Sequence, residues 1–189
     1  MHDNEEYLVP DELQKALIIA GMREIERHGL ADFSLRRVAA DCSVSCAAPY
    51  RHFKNKSELI LAIIFYVNQR RELLENQIIE CFEGDIRRTV TELCVANVRF
   101  FAANPNFRHI MLLDAASLDE DQREAQSRMF SRLSELISSL TGDKDEGERR
   151  AVAARAMILG FTHMLGSGEL QNNDRVFADI RISFEKIFE

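Results

Sequence analysis

The side chains with chemical potential in the first sixty residues point to anion contact rather than to bond making. Ser45 sits where it can cap a short helix running through Arg51, and that helix exposes the small side chains of Cys46, Ala47 and Ala48. A helix end of this kind can press into the major groove of a duplex without steric conflict, its partial positive dipole facing phosphate. Ser34, at the start of the preceding helix, can donate to a phosphate, and Arg36 can reach inward toward base edges. Catalytic groupings are not assembled: the chain has no nucleophile elbow, no phosphate-binding glycine loop and no paired catalytic motif. The expectation is a binding protein rather than an enzyme, with no cofactor.

The thiols and imidazoles support the same view. Cys42, Cys46, Cys81 and Cys94 form no Cys-x-x-Cys pair and have no histidine at zinc-finger spacing, so reduced thiols are expected. Cys46 lies at a helix start, where the dipole lowers a thiol pKa, with Cys42 four residues away; a small groove-facing side chain is the simpler reading. His109 with Asp114, or His163 with Glu169, gives two ligands and no supporting cluster, so no metal is expected.

The elements that must carry these residues read as helices throughout. The first runs from about Leu13 to Gly29, with Leu17, Ala20, Gly21 and Ile25 at helical spacing and Gly29 where a terminating glycine belongs. Ser34 caps a second helix that ends near Cys42, and Asn55 or Ser57 caps a long third one ending near Phe82. Further helices are expected at about 85–103, 105–116, 119–140, 147–166 and 173–188, with breaks at Gly84, Asn104-Pro105, Ser117, Gly142 and Gly166-Ser167-Gly168. No segment alternates with period two, which excludes a sheet-based fold. With 189 residues, 46% of them hydrophobic and only 3 prolines, the chain can bury a sizeable helical core.

Charge is distributed unevenly. Between Leu13 and Leu59 there are eight Lys or Arg against five Asp or Glu, whereas the whole chain has a net charge of -7. A basic module on an acidic body suits a protein that meets phosphate through one face alone. Residues 1–10 are acidic and poor in apolar side chains, which reads as a flexible tail and not as a leader. No stretch is long and apolar enough for a membrane span, so no membrane partner and a cytoplasmic location are expected.

The run from Phe33 to Ala40, then Val44-Ser45, then Pro49-Tyr50-Arg51-His52-Phe53-Lys54-Asn55-Lys56-Ser57-Glu58-Leu59 resembles the TetR family of transcriptional regulators. The likeness spans roughly residues 13 to 60, and its most specific part is Tyr50-Arg51-His52-Phe53 followed by Lys56 and Leu59. The resemblance implies an all-α chain: a three-helix module with a helix-turn-helix at residues 11–56, then a helical ligand-binding and dimerisation domain at 57–189. It further implies that Ser34, Tyr50, His52 and Lys56 contact phosphate, that Arg36, Cys46, Ala47 and Pro49 face bases, and that Val38, Ala39, Val44 and Phe53 form the module's core. The family usually has Ala-Gly where this chain has Cys42-Ser43. A left-handed turn at Ser43 should cost of order 1 kcal/mol.

The implied partners are double-stranded operator DNA, a small-molecule effector of unknown identity and a second copy of the chain. Aromatic and Met residues of the body, among them Phe65, Phe100, Phe101, Phe107, Met111, Met129 and Phe161, could line an apolar effector cavity or serve as ordinary core. Asn97, Arg99, His109 and His163 interrupt apolar stretches and could orient an effector there. Small residues Ala151 and Ala154 with Ile158 and Leu165 on the penultimate helix, and Phe177, Ile180 and Phe184 on the last, are expected at the dimer interface. The implied function is a regulator, most simply a repressor released by its effector. A contrasting reading is a helical small-molecule or partner-binding protein that has lost DNA binding, for which the weakly hydrogen-bonding Cys46, Ala47, Ala48 and Pro49 leave room.

Overall fold

In the computed structural model, which describes residues 11–189, the ordered elements are helices and short 3-10 turns, with no strand among the described residues. The expected tail at 1–10 lies outside the described residues. Helix α1 (Glu12–His28) starts at Asp11, whose side chain accepts from the Gln14 amide, and ends at Gly29 with φ of 69°. Helix α2 (Leu35–Asp41) starts at Ser34, whose hydroxyl accepts from the Arg37 amide. Ser43 then takes φ of 56°, the left-handed turn its position requires.

The segment expected as a regular helix from Ser45 to Arg51 is tighter than that. Residues Pro49–Arg51 form a 3-10 turn, and the amides of Ala48, Arg51 and His52 bond three residues back, to Ser45, Ala48 and Pro49. Pro49 has no amide hydrogen to give to the Ser45 carbonyl, so the first α-type bond is missing and the shorter bond from Ala48 takes its place. No side-chain cap holds this turn.

Helix α3 (Lys56–Cys81) is capped by Asn55 and, with 26 residues, spans about 39 Å. Its buried face runs through Leu59, Ile60, Ile63, Ile64 and Val67. Gly21 permits the close crossing of α1, since a Cβ there would lie 2.7 Å from the Ile63 side chain. Helices α4 (Ile86–Ala103), α5 (Pro105–Met111), α6 (Glu120–Ser127), α7 (Ser131–Thr141), α8 (Lys144–Ser167) and α9 (Asp174–Phe188) complete the body.

Helix α4 is the axis of that body. It packs on α3, α5, α7, α8 and α9, and it buries Val90, Leu93, Cys94, Val95, Val98 and Phe101. The stretch expected as one helix over 119–140 is instead α6 and α7 joined by a 3-10 turn at Arg128–Phe130. Met129 and Phe130, consecutive in that turn, are both buried. Likewise α5 stops at Met111 rather than near Ala116.

The expected interface residues are mostly spent inside the chain. Ala154, Ile158, Phe177, Ile180 and Phe184 are buried, and Ala151 and Leu165 are half-buried against the same core, because α8 and α9 turn their strongest apolar faces toward α4. The faces left uncovered carry Val152, Ala156, Gly160 and His163 on α8, with Ala178 and Ile182 on α9. Val152 is 61% exposed and Ile182 48%, high values for branched apolar side chains. Among the described residues no helix is long and apolar enough to cross a membrane.

Candidate nucleic-acid interface

A buried carboxylate organises the N-terminal module. Glu24 lies on the apolar face of α1, where it accepts from the Ser34 amide at 3.1 Å and from Arg37 Nε at 2.7 Å. It thereby fixes the start of α2 against α1. Its hydrogen bond also holds the Arg37 guanidinium above its ordinary pKa. A second tie joins Arg23 to Asp41 at 2.8 Å, with Arg27 3.8 Å from the same carboxylate. Replacing Glu24 by Ala strands the half-buried Ser34 amide and the Arg37 guanidinium and should cost about 1–3 kcal/mol, visible as a lower thermal midpoint, whereas Glu24→Asp should recover part of the loss.

These internal pairs consume Arg23, Arg27 and Arg37. Arg36, Arg51 and Lys54 are exposed, and no carboxylate among the described residues pairs with them. Tyr50, 58% exposed, stands beside Arg51 on the 3-10 turn, and Ser45, Cys46 and Ala47 are exposed just before it. The module therefore presents small side chains, a phenol and free cations together, the composition required for groove entry flanked by phosphate contact.

Three of the expected contact residues are placed differently. Pro49 is buried in the turn and offers almost no surface to a base. His52 is half-buried, and its Nδ1 lies 3.5 Å from Asp11, the cap of α1. Lys56 donates to the Leu30 carbonyl at 2.6 Å and lies over the Phe33 ring, so it closes the α1–α2 loop onto the start of α3. Two ammonium hydrogens remain beyond that bond. Ser34 keeps its hydroxyl hydrogen, since its oxygen serves only as acceptor in the cap. Val38, Ala39 and Phe53 are buried as expected, and Val44 is half-buried. Burial raises the Cys42 thiol pKa, with Asp41 adding to the effect, which disfavours a reactive thiolate beside Cys46.

In the body, Phe100, Phe101 and Phe107 do gather, with ring centroids 5.2 and 5.4 Å from Phe100, and Tyr66 joins Phe107 at 6.1 Å. Phe161 instead packs against Phe184 at 5.9 Å, on the α8–α9 side. Met111 and Met129 are buried and Phe65 is half-buried. A groove of about 740 Å³ lies elsewhere, between the start of α4 and the end of α9, lined by Phe82, Arg88, Glu92 and Arg181, and none of the expected effector residues lines it. Asn97 is buried and is part of a polar cluster with Arg71 and Glu75 that sequence reasoning missed; opposite charges four residues apart on the buried stripe of α3 were its available signal.

Residues 17–63 match the family model described as bacterial regulatory proteins, tetR family. No curated protein sequence matches the chain significantly. Among solved structures, a TetR-family transcriptional regulator from Bordetella parapertussis superposes with a TM-score of 0.73 at 13% identity, covering 94% of each chain. A transcriptional regulator from Rhodococcus sp. gives 0.75 at 20% identity, covering 92% of this chain and 95% of that one. The regulator FadR from Bacillus subtilis, in complex with stearoyl-CoA, gives 0.68 at 13% identity, covering 92% and 96%. Residues 17–63 thus resemble the bacterial regulatory proteins of the tetR family, and the whole chain shares the fold of solved TetR-family transcriptional regulators.

Proposed function

We propose that the chain is a sequence-specific DNA-binding transcriptional regulator of the cytoplasm that grips its operator as a homodimer and, acting as a repressor, lets go when a small molecule occupies its helical body. The observation that carries this reading is the exposed Ser45–Ala47 segment flanked by Tyr50, Arg51 and Arg36, the groups left free once Glu24 and Asp41 have bound the other arginines. Ser45, Cys46 and Ala47 enter the groove, Arg36 reads base edges, and Tyr50, Ser34 and the spare donors of Lys56 and His52 meet the backbone. Pairing occurs through the uncovered faces of α8 and α9. Binding of stearoyl-CoA by Bacillus subtilis FadR supports an effector role for a helical body of this shape. The protein acts by binding and carries out no catalysis.

Selection of duplexes from a random pool by the purified protein, followed by titration at several salt concentrations, tests the reading. Enrichment of one inverted-repeat sequence and an affinity falling steeply with salt are expected. A pool that stays random, or salt-insensitive retention, would instead support a small-molecule-binding protein that has lost DNA recognition.

A further inference from the structure

At the middle of the body, α3 turns three polar residues toward the core on a single face: Asn68, Arg71 and Glu75. Arg71 and Glu75 are each 1% exposed and are paired with one another. Asn97 of α4 lies over the same spot, with Nδ2 3.4 Å from Glu75 Oε1 and 2.8 Å from the Leu93 carbonyl. The Asn68 amide nitrogen donates to the Ala125 carbonyl of α6 at 2.8 Å. The walls are apolar or soft: Phe130 faces the Arg71 guanidinium, and Cys94 is near enough for Glu75 to help burial raise its thiol pKa.

What distinguishes the cluster is how much of its hydrogen-bonding capacity is unspent. Glu75 Oε2, Asn97 Oδ1, Asn68 Oδ1 and Arg71 Nε are all buried without a partner. Both asparagine orientations are dictated by carbonyl acceptors on Leu93 and Ala125, so the two amide oxygens cannot be exchanged for nitrogens. The cluster thus holds three unmet acceptors and one unmet donor, buried beside Phe130 and Cys94. Most buried polar groups in native interiors are hydrogen-bonded, and the gathering of four unmet ones on neighbouring turns of α3 and α4 marks a place that a polar ligand head could satisfy.

We propose that this cluster is the effector-recognition site, and that it takes a neutral, largely apolar small molecule whose head carries at least two N–H or O–H donors beside one acceptor, as a primary carboxamide does. The proposal rests on the regulator reading above. Neutrality follows from the charges: Arg71 and Glu75 already sum to zero, so an ionised head would bring an uncompensated charge into the core. The donor count follows from the three free acceptors, and the single ligand acceptor from Arg71 Nε–H.

The position of the cluster supplies a route to the DNA-binding module. A head that donates to Asn68 Oδ1 pulls on the side chain whose amide nitrogen holds α6 through the Ala125 carbonyl. The first turn of α6 holds the start of α3, where Gln122 Nε2 donates to the Ser57 carbonyl at 3.0 Å and Ser57 donates to the Asp119 carboxylate. Ser57 adjoins Lys56, whose ammonium holds the α1–α2 loop through Leu30. Displacement of α6 is therefore delivered at the base of the reading head.

The test uses the full chain, three six-carbon probes and one variant. Hexanamide, hexanoate and hexylamine are added separately at neutral pH to wild-type protein and to the Arg71→Met/Glu75→Leu variant, and thermal midpoints are recorded. Replacing both partners of a buried pair by apolar residues usually preserves folding, unlike removal of one. Hexanamide at about ten times its dissociation constant should raise the wild-type midpoint by roughly 3–6 °C, leave the variant's unchanged, and weaken wild-type binding to the selected duplex. The site assignment is overturned if hexanamide stabilises the variant as much as the wild type, or fails to stabilise either. Preference for hexanoate or hexylamine overturns the ligand class, and stabilisation that leaves duplex affinity unchanged overturns the effector role. Duplex binding by the wild type without any probe is scored separately, so loss of the regulator reading is told apart from loss of this one.

Discussion

Ile182→Asp, combined with Val152→Asp, should yield a folded monomer that has lost operator binding. Both side chains are exposed on the free faces of α8 and α9, so the substitutions disturb little of the packing within the chain. In a paired assembly with two-fold symmetry each is buried twice, and four carboxylates would be forced into an apolar patch. Dimer formation should fail while helix content and the thermal midpoint of the monomer hold. A monomer engages only one half-site, and loss of the second, tethered contact should weaken duplex binding about 100-fold or more. Light scattering with size-exclusion chromatography reads the mass, and circular dichroism the fold. The contrast variant is Phe184→Asp. Because Phe184 is buried against α4 and Phe161, it should unfold the chain rather than dissociate it, since truncating a buried Phe to Ala alone costs about 3–5 kcal/mol. A soluble, fully dimeric double variant at 152 and 182 would show that pairing uses another face.

The second large effect concerns the reading head. Arg36→Ala should cost about 1–3 kcal/mol of discrimination at each half-site, so a dimer loses roughly 30- to 25,000-fold in affinity for its best duplex and far less for unrelated ones. Tyr50→Ala should weaken all duplexes without changing the thermal midpoint, since the ring is more than half exposed. Being uncharged, Tyr50 releases no counterion, so the slope of affinity against salt should be unaltered; Arg51→Ala should flatten it by about one unit per head. Lys56→Ala should behave unlike all three. Its ammonium holds the Leu30 carbonyl, so stability and DNA binding should fall together. Wild-type DNA affinity in both Arg36→Ala and Tyr50→Ala would remove this face from the interface.

Much of the frame could be read from local chemistry. Asp11 excepted, the caps that start α2, α3 and α9 are Ser or Asn residues standing directly before apolar periodicity, and Gly29 and Gly142 stand where chains reverse with positive φ. The left-handed turn at Ser43, with φ of 56°, was legible only through the resemblance, because the family usually has a glycine there. Other features were decided at longer range. Periodicity on α8 and α9 marks Ile158, Phe177, Ile180 and Phe184 as buried but does not say by what; α4 covers them, which leaves the weaker stripe through Val152 and Ile182 for a partner.

The site divides in the same way. Exposure of Arg36, Ser45, Cys46, Ala47 and Tyr50 follows from position on short elements, whereas the fates of Pro49, His52 and Lys56 depend on contacts with α1 and its loop. Glu24 and the Arg71–Glu75 pair were hidden by their residue types, since isolated charges on apolar stripes look like interruptions until their partners are located. At Pro49 the expected recognition helix gives way to a 3-10 turn, with no proline amide hydrogen to bond the Ser45 carbonyl.

Hydroxyl-radical footprinting of the selected duplex, with the wild-type dimer bound, examines groove entry by paired heads most directly. Two protected patches on one face of the duplex are predicted, about 34 Å apart and both lost in Tyr50→Ala at moderate salt. Uniform protection, a lone patch, or protection indifferent to Tyr50 would contradict the account.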